Sequence, residues 1–209
     1  MNGHPPMTNA PGVNDAAPAV PPATTIRPAR VADVPQIAAI VREEAEQGLM
    51  LHKPLSRLYE TVRQFHVAVE PEPDADGDAE RVLGVCGLSI IWADLAEIVS
   101  LAVAPAARGR GLGGALTRAC LDEAHALGIR RVMSLTYQQR FFERLGFAVV
   151  DRTKLPMKVW AECIHCPKHD ACDDIAMMKT FTDLAPHPVP APPAPASLEV
   201  PVVLTNSLR

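Results

Sequence analysis

Residues 108–114 read Arg-Gly-Arg-Gly-Leu-Gly-Gly, with four glycines in six positions from Gly109 to Gly114. They separate an aliphatic, β-rich run (AEIVSLAV, 96–103) from an alanine- and leucine-rich run with helical spacing. Glycines between a strand and a helix let the main chain turn tightly and approach a ligand without Cβ contacts. The first N–H groups of the helix are unpaired and carry the positive end of its dipole, which suits phosphate. Arg108 and Arg110 add cationic charge beside them. Two further groups have chemical potential. Glu97 is an acid within an otherwise apolar strand, the setting in which a carboxylate serves as a general base; the alternative is a solvent-facing residue near a strand end. Cys163, Cys166 and Cys172, with His165 and His169 between them, place four zinc ligands within ten residues, Cys163, Cys166, Cys172 and His169 forming the set. The alternative there is a helix–loop whose cysteines pack as small hydrophobes.

The elements that must hold these groups follow from pattern. Asp33 with Gln36 reads as a capping box, and Pro35 fits the first helical turn. Ile37, Ile40 and Val41 continue at helical period, and Gly48 suits a left-handed stop. Leu55, Leu58, Tyr59 and Val62 mark a second short helix. Strands are expected at 65–70, 81–91 and 96–103, the last two pairing antiparallel. Leu112, Leu116, Ala119, Cys120, Ala124 and Leu127 form one stripe of a helix that Gly128 ends, with Cys120 and Cys86 read as core. RRVMSLTY (130–137) reads as a buried strand, RFFERLG as a short helix, and FAVVD (147–151) as another strand. The fold class is α+β, a mixed α/β sheet in one domain.

Composition narrows the classes. Of 21 prolines, seven fall in residues 1–28 and seven in 186–201, so residues 1–25 and 183–209 read as Pro-rich disordered tails around a domain at 26–182. A net charge of −4 argues against general nucleic-acid binding. No apolar stretch approaches membrane-spanning length, and no basic cluster precedes an apolar run at the N-terminus. Five cysteines without an export signal favour reduced thiols in the cytoplasm.

The glycine loop also discriminates among phosphate ligands. Gly109-x-Gly111-x-x-Gly114 formally satisfies the dinucleotide fingerprint, but the next strand ends in MSLTYQQ, without the acid that would hold the ribose. The Gly-Lys-Ser/Thr of a Walker loop is absent. Arg108-x-x-Gly111-x-Gly113 after a strand and before a helix resembles the pyrophosphate loop of the GNAT superfamily of acetyl-CoA-dependent N-acetyltransferases. AEIVSLAV resembles the central strand of that fold, and FFERLGF its final helix–strand junction.

That resemblance implies a GNAT acyl-CoA N-acyltransferase fold in which acetyl-CoA lies in a V-shaped split between two central strands. The cofactor would be met by Leu101, Ala102 and Val103 of the earlier strand and by Arg108, Gly109, Arg110, Gly111, Leu112, Gly113 and Gly114. Glu97 would be the base, directly or through water, and an N–H near Val103 would meet the oxyanion. Many members carry a tyrosine acid four residues before the last helix's glycine; here that position is Phe142. Tyr137 is the substitute, or else a packed aromatic.

EQGLMLHKPLSRLYETVRQFHVA, LTYQQRFFERLGF, LPMKVWAECIHCP and CDDIAM together resemble short N-acetylglutamate synthases of arginine biosynthesis. The resemblance implies a free amino acid acceptor, with glutamate first. His52 and Lys53 occupy the position where related synthases carry basic residues in the loop before the second helix, and Lys53 is the first candidate partner of the acceptor carboxylate; longer relatives have two arginines there, and His-Lys forfeits bidentate pairing. Arg140, Lys154 and Lys158 are secondary candidates, the alternative for each being a solvated surface charge. The Cys-rich insertion at 156–174 would border the acceptor and shape its pocket. Rival readings are another acceptor such as glutamine, a protein-lysine acetyltransferase, and a non-catalytic acyl-CoA sensor, the last motivated by Phe142. The partners expected are acetyl-CoA and a small amino acid, without nucleic acid or membrane, and with homodimerisation left open.

Overall fold

In the computed structural model, described here for residues 24–72, 79–152, 155 and 173–186, seven strands form one sheet with helices on both faces. In chain order these are β1 (Thr25–Pro28), α1 (Val34–Glu46, entered through a 3-10 turn at Val31–Asp33), α2 (Leu55–Glu60), β2 (Phe65–Pro71), β3 (Glu80–Trp92) and β4 (Leu95–Val103). There follow α3 (Leu112–Ala126), β5 (Arg131–Thr136), α4 (Gln139–Glu143), β6 (Ala148–Val149) and β7 (Ile175–Thr180). The strand order is β1-β2-β3-β4-β5-β7-β6. Every neighbouring pair is antiparallel except β4 and β5. Parallel pairing requires a crossover, and α3 supplies it.

Each face has its own core. Ala68, Cys86, Leu88, Ala96 and Ile98 meet Leu112, Leu116, Cys120 and Ala124 of α3. Val67, Val69, Val82 and Val85 meet Val34, Ile37, Ile40 and Val41 of α1 and Leu58 of α2. Period 2 on the strands and period 3.6 on the helices produce this division directly.

Four expectations change. The strand expected at 147–151 shortens to Ala148–Val149, paired with β7. β1 extends the sheet beyond the expected strands, and β7 inserts between β5 and β6. The box of Asp33 with Gln36 does not form. The Asp33 carboxylate instead accepts the Arg30 N–H at 2.6 Å and pairs with both terminal nitrogens of Arg27. Gln36 instead binds the β3 main chain, donating to Glu80 O and accepting from Val82 N.

Asp33 is 5 % exposed. Burial works to raise its pKa, but the Arg27 hydrogen bonds and the Arg30 N–H outweigh it and hold the carboxyl below its usual range. A depressed folded-state pKa contributes stability above the ordinary carboxylate range, and that stability is lost as pH falls through the folded value. Asp33→Asn is therefore expected to cost about 2 kcal/mol at neutral pH. Urea unfolding at pH 7 and pH 3 checks this: the gap between the two proteins should narrow in acid.

Candidate active site between β4 and β5

β4 is the strand on which the site is built, and it changes character along its length. It pairs with β5 at three positions only, Leu95↔Arg131, Ala96↔Val132 and Glu97↔Met133. Beyond Glu97, β4 keeps β3 as its partner to Val103, while β5 pairs with β7 to Thr136. The two central strands therefore diverge, and Glu97 stands at the vertex.

The closed end is clamped. Arg131 donates from Nε and a terminal nitrogen to the two Asp94 oxygens at 3.0 and 3.1 Å, and its N–H meets Asp94 O at 2.9 Å. Asp94 is buried in the turn between β3 and β4.

The open arm of β4 carries a bulge. Val99 pairs with Gly87 and Ala102 with Val85, so Ser100 and Leu101 together face Cys86 alone. Ser100 adopts φ +52°, a left-handed conformation that costs roughly 1 kcal/mol or more for a residue with a Cβ. The extra residue inverts the alternation. Before it, Ala96 and Ile98 pack on the α3 face, leaving Glu97 with Leu95 on the opposite side. After it, Leu101 and Val103 join the α3 face, and Ala102 turns toward α1. Glu97 is half-buried on the face that α1 and α2 cover.

The loop after β4 carries two left-handed glycines, Gly109 (φ +79°) and Gly111 (φ +76°), and Gly111 is the N-cap of α3. These φ values are open to glycine at little cost. The Ala115 N–H makes the first intrahelical bond, to Gly111 O. The N–H groups of Leu112, Gly113 and Gly114 therefore belong to the first turn, whose donors have no partner within a helix. A Cβ built on Gly113 would lie 3.6 Å from the Phe141 ring and 3.9 Å from Val103 Cγ2, between β4 and α4.

The two arginines are not directed solely at this turn. Arg108 pairs with the buried carboxylate of Glu44 on α1 and donates from Nε to Val103 O at 3.1 Å. Arg110 donates to Glu70 Oε2 at 3.0 Å and to Thr24 Oγ1 at 3.2 Å. Arg81 also binds Glu70, and these two guanidinium groups hold its carboxyl below the usual range. A depression of about 110 Å³ lined by Arg81, Leu83, Ala107 and Arg110 lies beside this cluster, on the β3 side of β4 and away from the split.

Tyr137 stands one residue past β5, half-buried at the end of the other arm. Phe142 is 3 % exposed and makes edge-to-face contacts with Phe141 and Phe147, both with centroids 5.1 Å apart. His52 (exposed) and Lys53 (half-buried) lie in the loop joining α1 to α2. Arg140 is exposed on α4. Lys154, Lys158, Cys163, His165, Cys166, His169 and Cys172 lie outside the described residues; among the described residues no group of three or more His, Cys, Asp or Glu is placed to hold a metal. No helix among them is long and apolar enough to cross a membrane.

Sequence reasoning missed Glu44, Glu70 and the Asp94–Arg131 clamp. The first two lie 64 and 40 residues from their arginines, beyond any local pattern.

Comparison with known proteins bears on this geometry. Residues 40–147 match the model of the Acetyltransferase (GNAT) family. The chain is 36% identical over 162 residues to an uncharacterised N-acetyltransferase of Chlorobaculum tepidum, covering 76% of this chain and 97% of that one. It is 38% identical over 145 residues to an amino-acid acetyltransferase of Mycobacterium tuberculosis, covering 69% and 79%. Among solved structures, a Mycobacterium tuberculosis protein in complex with CoA and NLQ superposes with a TM-score of 0.62 at 32% identity, covering 75% of this chain and 99% of that one. N-acetylglutamate synthase from Neisseria gonorrhoeae, complexed with coenzyme A and N-acetyl-glutamate, gives 0.65 at 26% identity, over 75% of this chain and 35% of that chain. With the family model spanning more than half of the chain and the strands splayed above the glycine loop, this protein is a member of the GNAT family of acetyltransferases.

Proposed function

We propose that the protein transfers the acetyl group of acetyl-CoA to the α-amine of a free amino acid, with L-glutamate as the acceptor, as in the opening step of arginine biosynthesis. The observation that carries this reading is the divergence of β4 from β5 with Glu97 at its vertex and the first turn of α3 at its mouth. The similarity to an amino-acid acetyltransferase and to N-acetylglutamate synthase supports the acceptor class.

Each step then has a named group. The diphosphate rests on the main-chain amides of residues 111–114, since Arg108 and Arg110 already hold carboxylates. The pantetheine arm follows β4 at Leu101–Val103 along the side turned away from β3, where the pairing with β5 has already ended at Glu97. Glu97 takes a proton from the acceptor ammonium, directly or through a water. The free amine attacks the thioester carbonyl, and the Val103 N–H meets the oxyanion. Collapse of the tetrahedral species breaks the C–S bond, and the departing thiolate takes a proton from Tyr137. Lys53 and His52 meet the acceptor carboxylates.

A thiol-release assay with glutamate, glutamine, ornithine and a lysine peptide tests the assignment. The expected result is the highest kcat/KM with glutamate. Release with the peptide alone, or with none of the four acceptors, overturns it, and a preference for glutamine changes the substrate but not the reaction.

A further inference from the structure

Three acids are buried among the described residues: Asp33, Glu44 and Asp94. Asp33 is met by Arg27, six residues away beside β1, and Asp94 by Arg131 at the closed end of the split. Glu44 answers at the open end. Its carboxylate pairs with Arg108, 64 residues on, whose Nε also donates at 3.1 Å to the carbonyl of Val103, the last residue of β4. A buried carboxylate needs such a partner. Yet replacing a buried ion pair by apolar side chains of similar size is often neutral for stability, so stability alone does not account for this one.

The main chain of the same residue has a second task. Glu44 lies three residues before Gln47, the C-cap of α1. Its carbonyl accepts the Leu49 N–H at 3.0 Å, and the Gly48 N–H meets Ala45 O at 2.9 Å, with Gly48 at φ +71°. This paired closure fixes the direction in which the chain leaves α1 for the loop that carries His52 and Lys53. Met50 of that loop and Ala104, the residue after β4, pack against one core that contains Ile40, Val41 and Ala102. Glu44 therefore holds both sides of one crossing, the loop through its carbonyl and the end of β4 through its carboxylate.

We propose that Glu44 is a positioning residue for acetyl transfer. Through Arg108 it sets the loop at 49–53, and with it the acceptor amine, against the end of β4 where the thioester lies. This role rests on the acceptor function proposed above for His52 and Lys53. Neither Glu44 nor Arg108 is needed to hold the diphosphate, which rests on the first turn of α3. Loss of the pair therefore leaves both substrates able to bind but sets them out of register, and a displacement of about 1 Å between reacting atoms is enough to cost rate.

The test compares Glu44→Met, Arg108→Met and the double variant in the full chain. In each single variant the acceptor KM is expected to rise about tenfold and kcat to fall about tenfold, with the dissociation constant of coenzyme A within about threefold. The double variant should lose no more than either single, because the two side chains act as one unit. Its thermal midpoint should stay near that of the unaltered chain, since two apolar side chains replace the pair. Where a single variant leaves a charge stranded and fails to fold, the double variant still decides. A double variant that regains activity along with stability marks the pair as structural and overturns the proposal. Losses that multiply in the double variant, or an unchanged acceptor KM, also overturn it. Amide hydrogen exchange of the double variant reads the geometry without turnover: Leu49–Lys53 and Ala104–Gly109 are expected to exchange about tenfold faster together, while Leu116–Ala124 keeps its rate. Acceleration confined to one of the two segments overturns the bridge. If both segments respond but the unaltered chain acetylates no free amino acid, the acceptor assignment fails and the bridge does not.

Discussion

Glu97→Gln is expected to lower kcat for acetyl transfer by about 10²- to 10³-fold at neutral pH while leaving the dissociation constant of coenzyme A within about twofold. The amide nearly matches the carboxylate in shape, so the half-buried site at the vertex keeps its packing. What is lost is a group able to receive the proton of the acceptor ammonium. Without it, turnover depends on amine already deprotonated in solution, and the variant's rate should climb with pH until it approaches that of the unaltered enzyme. Steady-state rates from pH 6 to 10, with calorimetric titration of coenzyme A, check both parts. A rate that is unchanged at every pH would remove Glu97 from the mechanism, and a parallel loss of coenzyme A binding would mark it as structural.

The second large effect separates binding from folding. Gly113→Glu is expected to weaken coenzyme A binding about 100-fold or more, the loss of at least one charge-assisted hydrogen bond with repulsion added. A Cβ at this position meets only ordinary contacts, 3.6 Å to Phe141 and 3.9 Å to Val103, so the protein itself has room for it. The new carboxylate would sit in the first turn of α3, where negative charge favours the helix by about 0.3–1 kcal/mol and roughly offsets the altered packing. The same charge repels a diphosphate seeking those amides. Thermal unfolding without ligand should change little, while the stabilisation that coenzyme A confers should disappear. Retained stabilisation would move the diphosphate elsewhere.

Much of the architecture was legible because its signals are local. The alternation in AEIVSLAV, the helical stripe from Leu112 to Ala124 and the glycines before it correspond to β4, α3 and the loop between them. β1 escaped because TIRP is four residues long and ends in proline, a residue that serves at a sheet edge but advertises a break. The left-handed residue in β4 escaped because it is a serine, which carries no marker for positive φ. Asp33 misled for a physical reason: its carboxylate found Arg27 and the N–H three residues before it, a stronger combination than a lone cap. The extent of β4–β5 pairing is a tertiary property. Nothing in LAEIVSLAV announces that Glu97 is the last residue joined across the seam.

That seam has a mechanical meaning. Three consecutive pairs, pinned by one bidentate Asp94–Arg131 contact, are among the described residues all the strand pairing that joins a four-stranded lobe (β1 to β4) to a three-stranded one (β5, β7, β6). The molecule is built like a clothes-peg: the fulcrum is short, Glu97 is its last tooth, and one core under α3 reaches Val132 and Met177 on the far side. A rod pressed between the jaws would be gripped along both walls at once, and small rotations at the fulcrum would become ångström-scale changes at the tips.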